Sequence, residues 1–182
     1  IAFEWFVKFY LISSPKYRTY YKNVWHSSEF AGQTSHQAKL KLPIPEQGYD
    51  LVCQRYDDMY ELIQCKFKDD TTKNLLTSDI EAVLRTASAR PANEYIDAIL
   101  MCSNTKGIPR NKELEKQSIN IGSINAGEFE SLSSTDFENI KRALINEIPL
   151  IKPRKPLPHQ KKEIKKIVHA FKAAKEKKGK LI

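Results

Sequence analysis

The strongest constraint on the fold is a pair of strand-like runs on either side of a short polar turn. Tyr49-Asp50-Leu51-Val52-Cys53 and Tyr60-Glu61-Leu62-Ile63-Gln64-Cys65-Lys66-Phe67 flank Tyr56-Asp57-Asp58, a pattern that reads as a β-hairpin. Side chains alternate along a strand, so Gln64 and Lys66 share one face while Ile63, Cys65 and Phe67 share the other. An odd loop, of about three or five residues, sets Asp50 opposite Gln64 on the face of Lys66. An acid, an amide and an amine then converge on one patch beside an apolar core, which suits a metal ion and a phosphate. The bland alternative is a wet strand face that carries one Gln and one Lys.

Elements around the hairpin follow from periodicity and punctuation. Phe3, Phe6, Val7, Tyr10 and Leu11 recur at helical spacing over residues 2–12, and Ser13-Ser14-Pro15 stops that helix. Val24-Trp25-His26 is a short strand, followed by a polar connection up to Leu42 and by Pro43 and Pro45. Ser78 is the expected cap of a helix over 79–89, with Glu81 at its third position. The most apolar run, 95–102, reads as a central strand, 112–116 as helical and 119–124 as another strand. Ser134 or Thr135 opens a helix over 136–146. Strands interleaved with helices in this way predict an α/β fold, a mixed sheet flanked by helices.

Charge divides the chain. Its net of +8 is concentrated from Lys152 onward, where twelve Lys and Arg face two acids. The remaining 151 residues hold 18 basic and 20 acidic groups, a net of −2. Nucleic-acid binding by the main body must therefore use a local groove rather than an overall cationic field. Cys53, Cys65 and Cys102 sit in apolar runs without CxxC spacing, so they read as buried thiols of a reducing, cytoplasmic compartment rather than zinc ligands. No apolar run approaches the roughly 18 residues of a membrane span, and no membrane partner is expected.

A boundary is expected near residue 147. Ile148 to Pro158 holds prolines at 149, 153, 156 and 158 with Lys152, Arg154 and Lys155, a stiff basic linker over 148–158. Beyond it, 160–178 reads as a helix striped with Ile164, Ile167, Val168 and Phe171. The chain starts at Ile1 and stops on Leu181-Ile182, and is expected to be a piece of a longer protein.

Through Asp50, Gln64 and Lys66, residues 1–147 resemble a PD-(D/E)XK nuclease domain of the Mrr-like type. Gly48-Tyr49-Asp50 and Ile63-Gln64-Cys65-Lys66-Phe67 stand where that family places an Asp on one strand and an acid or Gln, any residue, then Lys on the next. Glu4 matches a Glu common in its first helix. Lys155-Pro156-Leu157-Pro158-His159-Gln160 resembles the adenine-reading Q motif of superfamily 2 helicases, and Gly179-Lys180-Leu181-Ile182 the strand before a P-loop. Residues 159–182 are thus expected to begin a helicase domain, the layout of single-polypeptide restriction–modification enzymes. GxxxxGK[ST] itself is absent, so this chain alone is not expected to hydrolyse ATP.

The resemblance implies a metal-dependent DNA endonuclease. Asp50 would anchor a magnesium ion, or manganese in its place, with the Gln64 side-chain oxygen and the Cys65 main-chain carbonyl beside it. Lys66 would hold the attacking water and stabilise charge on the phosphate, and Glu4 would reach a metal-bound water or second ion. An amide is the weaker ligand, so Gln64 leaves open a catalytically silent DNA-binding or docking module of a helicase. Lys68 and Lys73 are candidate contacts to the DNA backbone, set against a solvated loop. Glu29 is weighed as a groove residue against a surface acid, Asp57, Asp58, Asp69 and Asp70 read as turn and loop charges, and His26, His36 and His169 receive no role. Expected partners are double-stranded DNA and the helicase, and a methyltransferase where present, of the same polypeptide.

Overall fold

Five apolar runs pair into one sheet in the computed structural model of the chain, which describes residues 2–109, 114 and 116–145. They are β1 (Tyr21–His26), β2 (Leu51–Arg55), β3 (Tyr60–Lys66), β4 (Ile96–Ser103) and β5 (Asn120–Ile124), hydrogen-bonded in that order. The helices are α1 (Ala2–Ser13), α2 (Ser27–Phe30), α3 (Thr34–Leu40), α4 (Thr77–Ser88), α5 (Ala126–Glu130) and α6 (Ser134–Leu144). β1, β2 and β3 are antiparallel neighbours, whereas β3, β4 and β5 run parallel. The connections explain the change. A turn suffices between β2 and β3, where Asp58 takes a left-handed conformation (φ 62°) that a short polar side chain tolerates. Parallel neighbours need a crossover, and α4 supplies it between β3 and β4. The result is the expected mixed sheet flanked by helices.

Both faces of β3 are covered, and its residues are buried from Tyr60 through Cys65. Its apolar side chains fill both layers, and its buried Glu61 and Gln64 are held by hydrogen bonds. On one face Val52, Tyr60, Leu62 and Met101 share a core with Ile80, Val83 and Ala87 of α4. On the other, Leu51, Cys53, Ile63 and Cys65 share one with Val7, Tyr10 and Leu11 of α1 and Ile140 of α6. Val7, Tyr10 and Leu11 recur at the spacing that makes one helical stripe. Each aliphatic side chain fully buried here contributes about 1.5–3 kcal/mol, so these two layers set the orientation of everything at the sheet's rim.

Several elements differ from expectation. β1 starts at Tyr21, and the polar connection to Leu42 contains α2 and α3. α2 is opened by a reciprocal cap in which Glu29 Oε2 accepts from the His26 N–H at 2.8 Å. α4 begins at Thr77 rather than Asp79, because Asp79 turns back to accept from the Leu76 N–H at 3.0 Å. α6 is capped by Ser133, whose N–H donates to Asp136 Oδ2 at 2.9 Å. All three cysteines are free and buried. No helix among the described residues is long and apolar enough to cross a membrane. Most of 112–116, the basic linker 148–158 and the stretch 159–182 lie outside the described residues.

Candidate active site

Gly48 decides how the chain enters β2. Its φ is +75°, and a Cβ there would lie 2.5 Å from the Ala82 carbonyl carbon of α4, so the loop runs flush against that helix. Tyr49 is thereby driven into the core, where its hydroxyl donates to the Pro43 carbonyl at 3.0 Å and burial pushes its pKa up to about 12. Asp50 then joins the sheet, its N–H donating to Ile63 O at 2.8 Å. The register Leu51↔Ile63 sets Asp50 opposite Gln64. Five residues, 55–59, separate the last pair, Gln54↔Tyr60, so the loop is odd and the side chains fall on one face.

Asp50 is clamped through one oxygen. Oδ2 accepts from the Gln64 side-chain amide and from the Cys65 N–H at 2.6 Å. Oδ1 takes no hydrogen bond from the described residues and is not sealed from solvent. Burial pushes the Asp50 pKa up, the Cys65 N–H opposes it, and the charge of Glu4 adds to the rise while Lys66 and Gln64 restrain it. These influences put Glu4 and Lys66 within electrostatic reach of Asp50. Lys66, half-buried at the end of β3, makes no ion pair with a described residue.

Glu4 is held by a residue to which the sequence reading gave no role. His26 Nε2 lies 3.1 Å from Glu4 Oε2, its Nδ1 lies 2.8 Å from Ser28 Oγ, and its ring stacks on Trp5 at 4.5 Å. No sequence motif marks His26. It arrives because β1 pairs with β2, placing His26 opposite Leu51 and the Ser27 N–H 2.8 Å from Asp50 O. Glu29 forms an ion pair with buried Lys8, which makes it a structural acid rather than a groove residue.

The two other lysines are engaged elsewhere. Lys68 pairs with Asp79 at 2.8 Å, while Lys73 pairs with Asp70 at 2.8 Å. The structure thus brings Asp50, Gln64, Cys65 and Lys66 together with Glu4 beside them, and ties Lys68 and Lys73 to acids.

Among the described residues no three His, Cys, Asp or Glu side chains form a metal-binding cluster. The oxygens at the site are the open Asp50 Oδ1, the Gln64 Oε1 and the Cys65 carbonyl, which in an extended strand points to the same side as the N–H that meets Asp50. This all-oxygen set fits a hard divalent ion that keeps several waters and not a carboxylate cage. Gln64 turns its amide nitrogen toward Asp50, so offering its oxygen to an ion on Oδ2 requires the amide to turn over.

Comparison with known proteins gives two matches. A family model described as a restriction endonuclease matches residues 12–146, a span that includes Asp50, Gln64 and Lys66 but not Glu4. No curated protein matches the chain. An ATP-dependent Type ISP restriction-modification enzyme, LlaBIII, solved bound to DNA, is similar in structure, with a TM-score of 0.59 and 20% identity over 94% of this chain. That likeness establishes a restriction-endonuclease-like fold. The chain spans 10% of that enzyme's length.

Proposed function

This chain belongs to the restriction endonuclease family, and from that premise we propose that it is a metal-dependent nuclease domain cleaving phosphodiester bonds of double-stranded DNA. The observation that carries the reading is the Asp50 carboxylate, clamped on one oxygen and open on the other, beside Lys66, which makes no ion pair with a described residue. Asp50, the Gln64 oxygen and the Cys65 carbonyl would hold magnesium or manganese. When bound, such an ion supplies charge neutralisation at the scissile phosphate and an acidified water. The Lys66 ammonium donates to the attacking water and to the phosphate oxygens, where negative charge accumulates. Glu4, oriented by His26, accepts a proton from water at the site. Lys68 and Lys73 would reach the DNA backbone only by leaving Asp79 and Asp70. In the longer protein, residues 159–182 would lead into a helicase whose ATP-driven movement positions the nuclease; the structurally similar enzyme is itself ATP-dependent.

A second reading is favoured by one observation, the Gln64 amide hydrogen-bonded to Asp50 where an acid would otherwise stand. On that reading the domain binds DNA or docks the motor without cutting. Nicking of supercoiled plasmid in magnesium, by wild type, Asp50→Asn and Lys66→Ala, separates the two. Nicking lost in both variants supports the nuclease. Nicking retained by Asp50→Asn overturns the site. No nicking by wild type, even within the ATP-supplied longer protein, favours the silent module.

A further inference from the structure

A second cationic feature involves none of the residues of the Asp50 site. Lys41, Arg85 and Arg90 line one cavity of about 310 Å³ whose apolar wall includes Leu42, Pro43 and Ala89. Lys41 ends α3 in the left-handed conformation (φ 49°), Arg85 lies in the last turn of α4, and Arg90 follows that helix. The facing loop is tied down. Thr86 Oγ1 donates to Gln47 O at 2.6 Å, the Tyr49 hydroxyl holds Pro43 at 3.0 Å, and Gly48 lies flush on Ala82.

No acid lines this cavity, and none of its three cations makes an ion pair with a described residue. Glu81, one turn before Arg85, and Glu46, beside Gln47, leave them unpaired. Lys68 and Lys73, by contrast, are each neutralised by an aspartate. In a main body with a net charge of −2, a local cluster of open cations is where a polyanion finds its hold.

We propose that this cavity is a phosphate-binding cleft for a nucleic-acid strand or nucleotide, with Lys41, Arg85 and Arg90 taking the phosphate and the apolar wall the sugar or base. Guanidinium groups recognise phosphate through paired N–H donors, and the volume falls at the lower end of small-ligand sites. The choice of a phosphate ester over other anions rests on the nuclease reading. The competing account is that Arg85 and Arg90 merely offset the carbonyl end of α4.

The test is fluorescence anisotropy in EDTA, across a salt series, with a labelled DNA duplex and separately a labelled deoxynucleoside monophosphate. Wild type is compared with Lys41→Gln, Arg85→Gln/Arg90→Gln and, as a charge control, Lys22→Gln. The basic stretch from Lys152 is common to all, so differences report the cleft. Each cation removed is expected to weaken duplex binding about tenfold at 0.1 M salt and to lower the slope of log affinity against log salt by about 1. Loss confined to the duplex identifies a strand phosphate, and loss of the mononucleotide as well identifies a nucleotide pocket. Unchanged binding of both ligands with a lowered melting temperature overturns the proposal in favour of the helix-end account. An equal loss in Lys22→Gln overturns it too. Should the double variant fail to fold, the single Arg90→Gln takes its place, and unchanged binding there overturns the proposal. None of these readouts uses cleavage, so a failed nicking assay leaves the result intact.

Discussion

The two ends of β3 treat their polar side chains in opposite ways. At the start of the strand Glu61, 5% exposed, is saturated. The Tyr20 and Tyr21 hydroxyls donate to it at 2.6 Å each, and Arg55, itself paired with Asp97 at 2.8 Å, lies 3.4 Å away. At the other end Asp50 and Gln64 satisfy each other on one side only, and Lys66 acts on Asp50 through its charge without an ion pair among the described residues. A carboxylate whose oxygens are all occupied holds a fold together but cannot take a ligand without losing a partner. One with an open oxygen carries a desolvation penalty in the free protein that a cation relieves. Glu128, which accepts from Tyr10 at 2.8 Å and Tyr17 at 2.7 Å, belongs with Glu61.

The contrast fails or sharpens under substitution. Glu61→Ala strands the buried Tyr21 hydroxyl and removes the bonds from Tyr20 and Arg55, which keep solvent and Asp97 respectively, and a loss of about 3 kcal/mol is expected from urea unfolding. A loss below about 1 kcal/mol would erase the distinction. Lys66→Ala should leave the urea midpoint nearly unchanged while nicking falls about 10²–10³-fold, equivalent to about 3–4 kcal/mol of transition-state stabilisation. Glu128→Gln keeps an acceptor but removes the charge. Burial raises the Glu128 pKa, yet the hydrogen bonds from Tyr17, Tyr10 and Lys16 outweigh it and hold it below the usual value. A lowered folded pKa stabilises above the unfolded pKa of about 4.5. The wild type's advantage, about 1 kcal/mol at pH 7, should fade as pH falls through the folded value, which melts at pH 7 and pH 3 will show.

The smallest effect has the opposite sign. The Asp50 pKa is raised, chiefly by burial, so the folded state binds the proton more tightly than the unfolded state. The stability this provides is present below the unfolded pKa of about 3.9 and is lost as pH rises through the folded value. Asp50→Asn should therefore melt higher than wild type at pH 7, by about 2–4 °C per kcal/mol relieved, with no gain at pH 3. A lower melting point at pH 7 would mean that Asp50, like Glu61, is structural.

The place of Asp50 beside Gln64 and Lys66 hung on a loop of odd length, which the register supplies. Local pattern determined the hairpin and the shared face of Gln64 and Lys66, because strand periodicity and turn residues act over a few positions. The same holds for α1, whose stripe of Val7, Tyr10 and Leu11 faces the sheet. The helices between His26 and Leu42 escaped notice, since four- and seven-residue helices carry too little periodicity and are set by capping and packing. The Lys73–Asp70 pair is local, between positions 70 and 73 of one loop. Only the tertiary structure decided that Lys68 meets Asp79, that His26 reaches Glu4 from another element, and that Lys41 joins Arg85 and Arg90 at one cavity. Those outcomes depend on which side chains long-range packing makes neighbours, and no spacing along the chain encodes that.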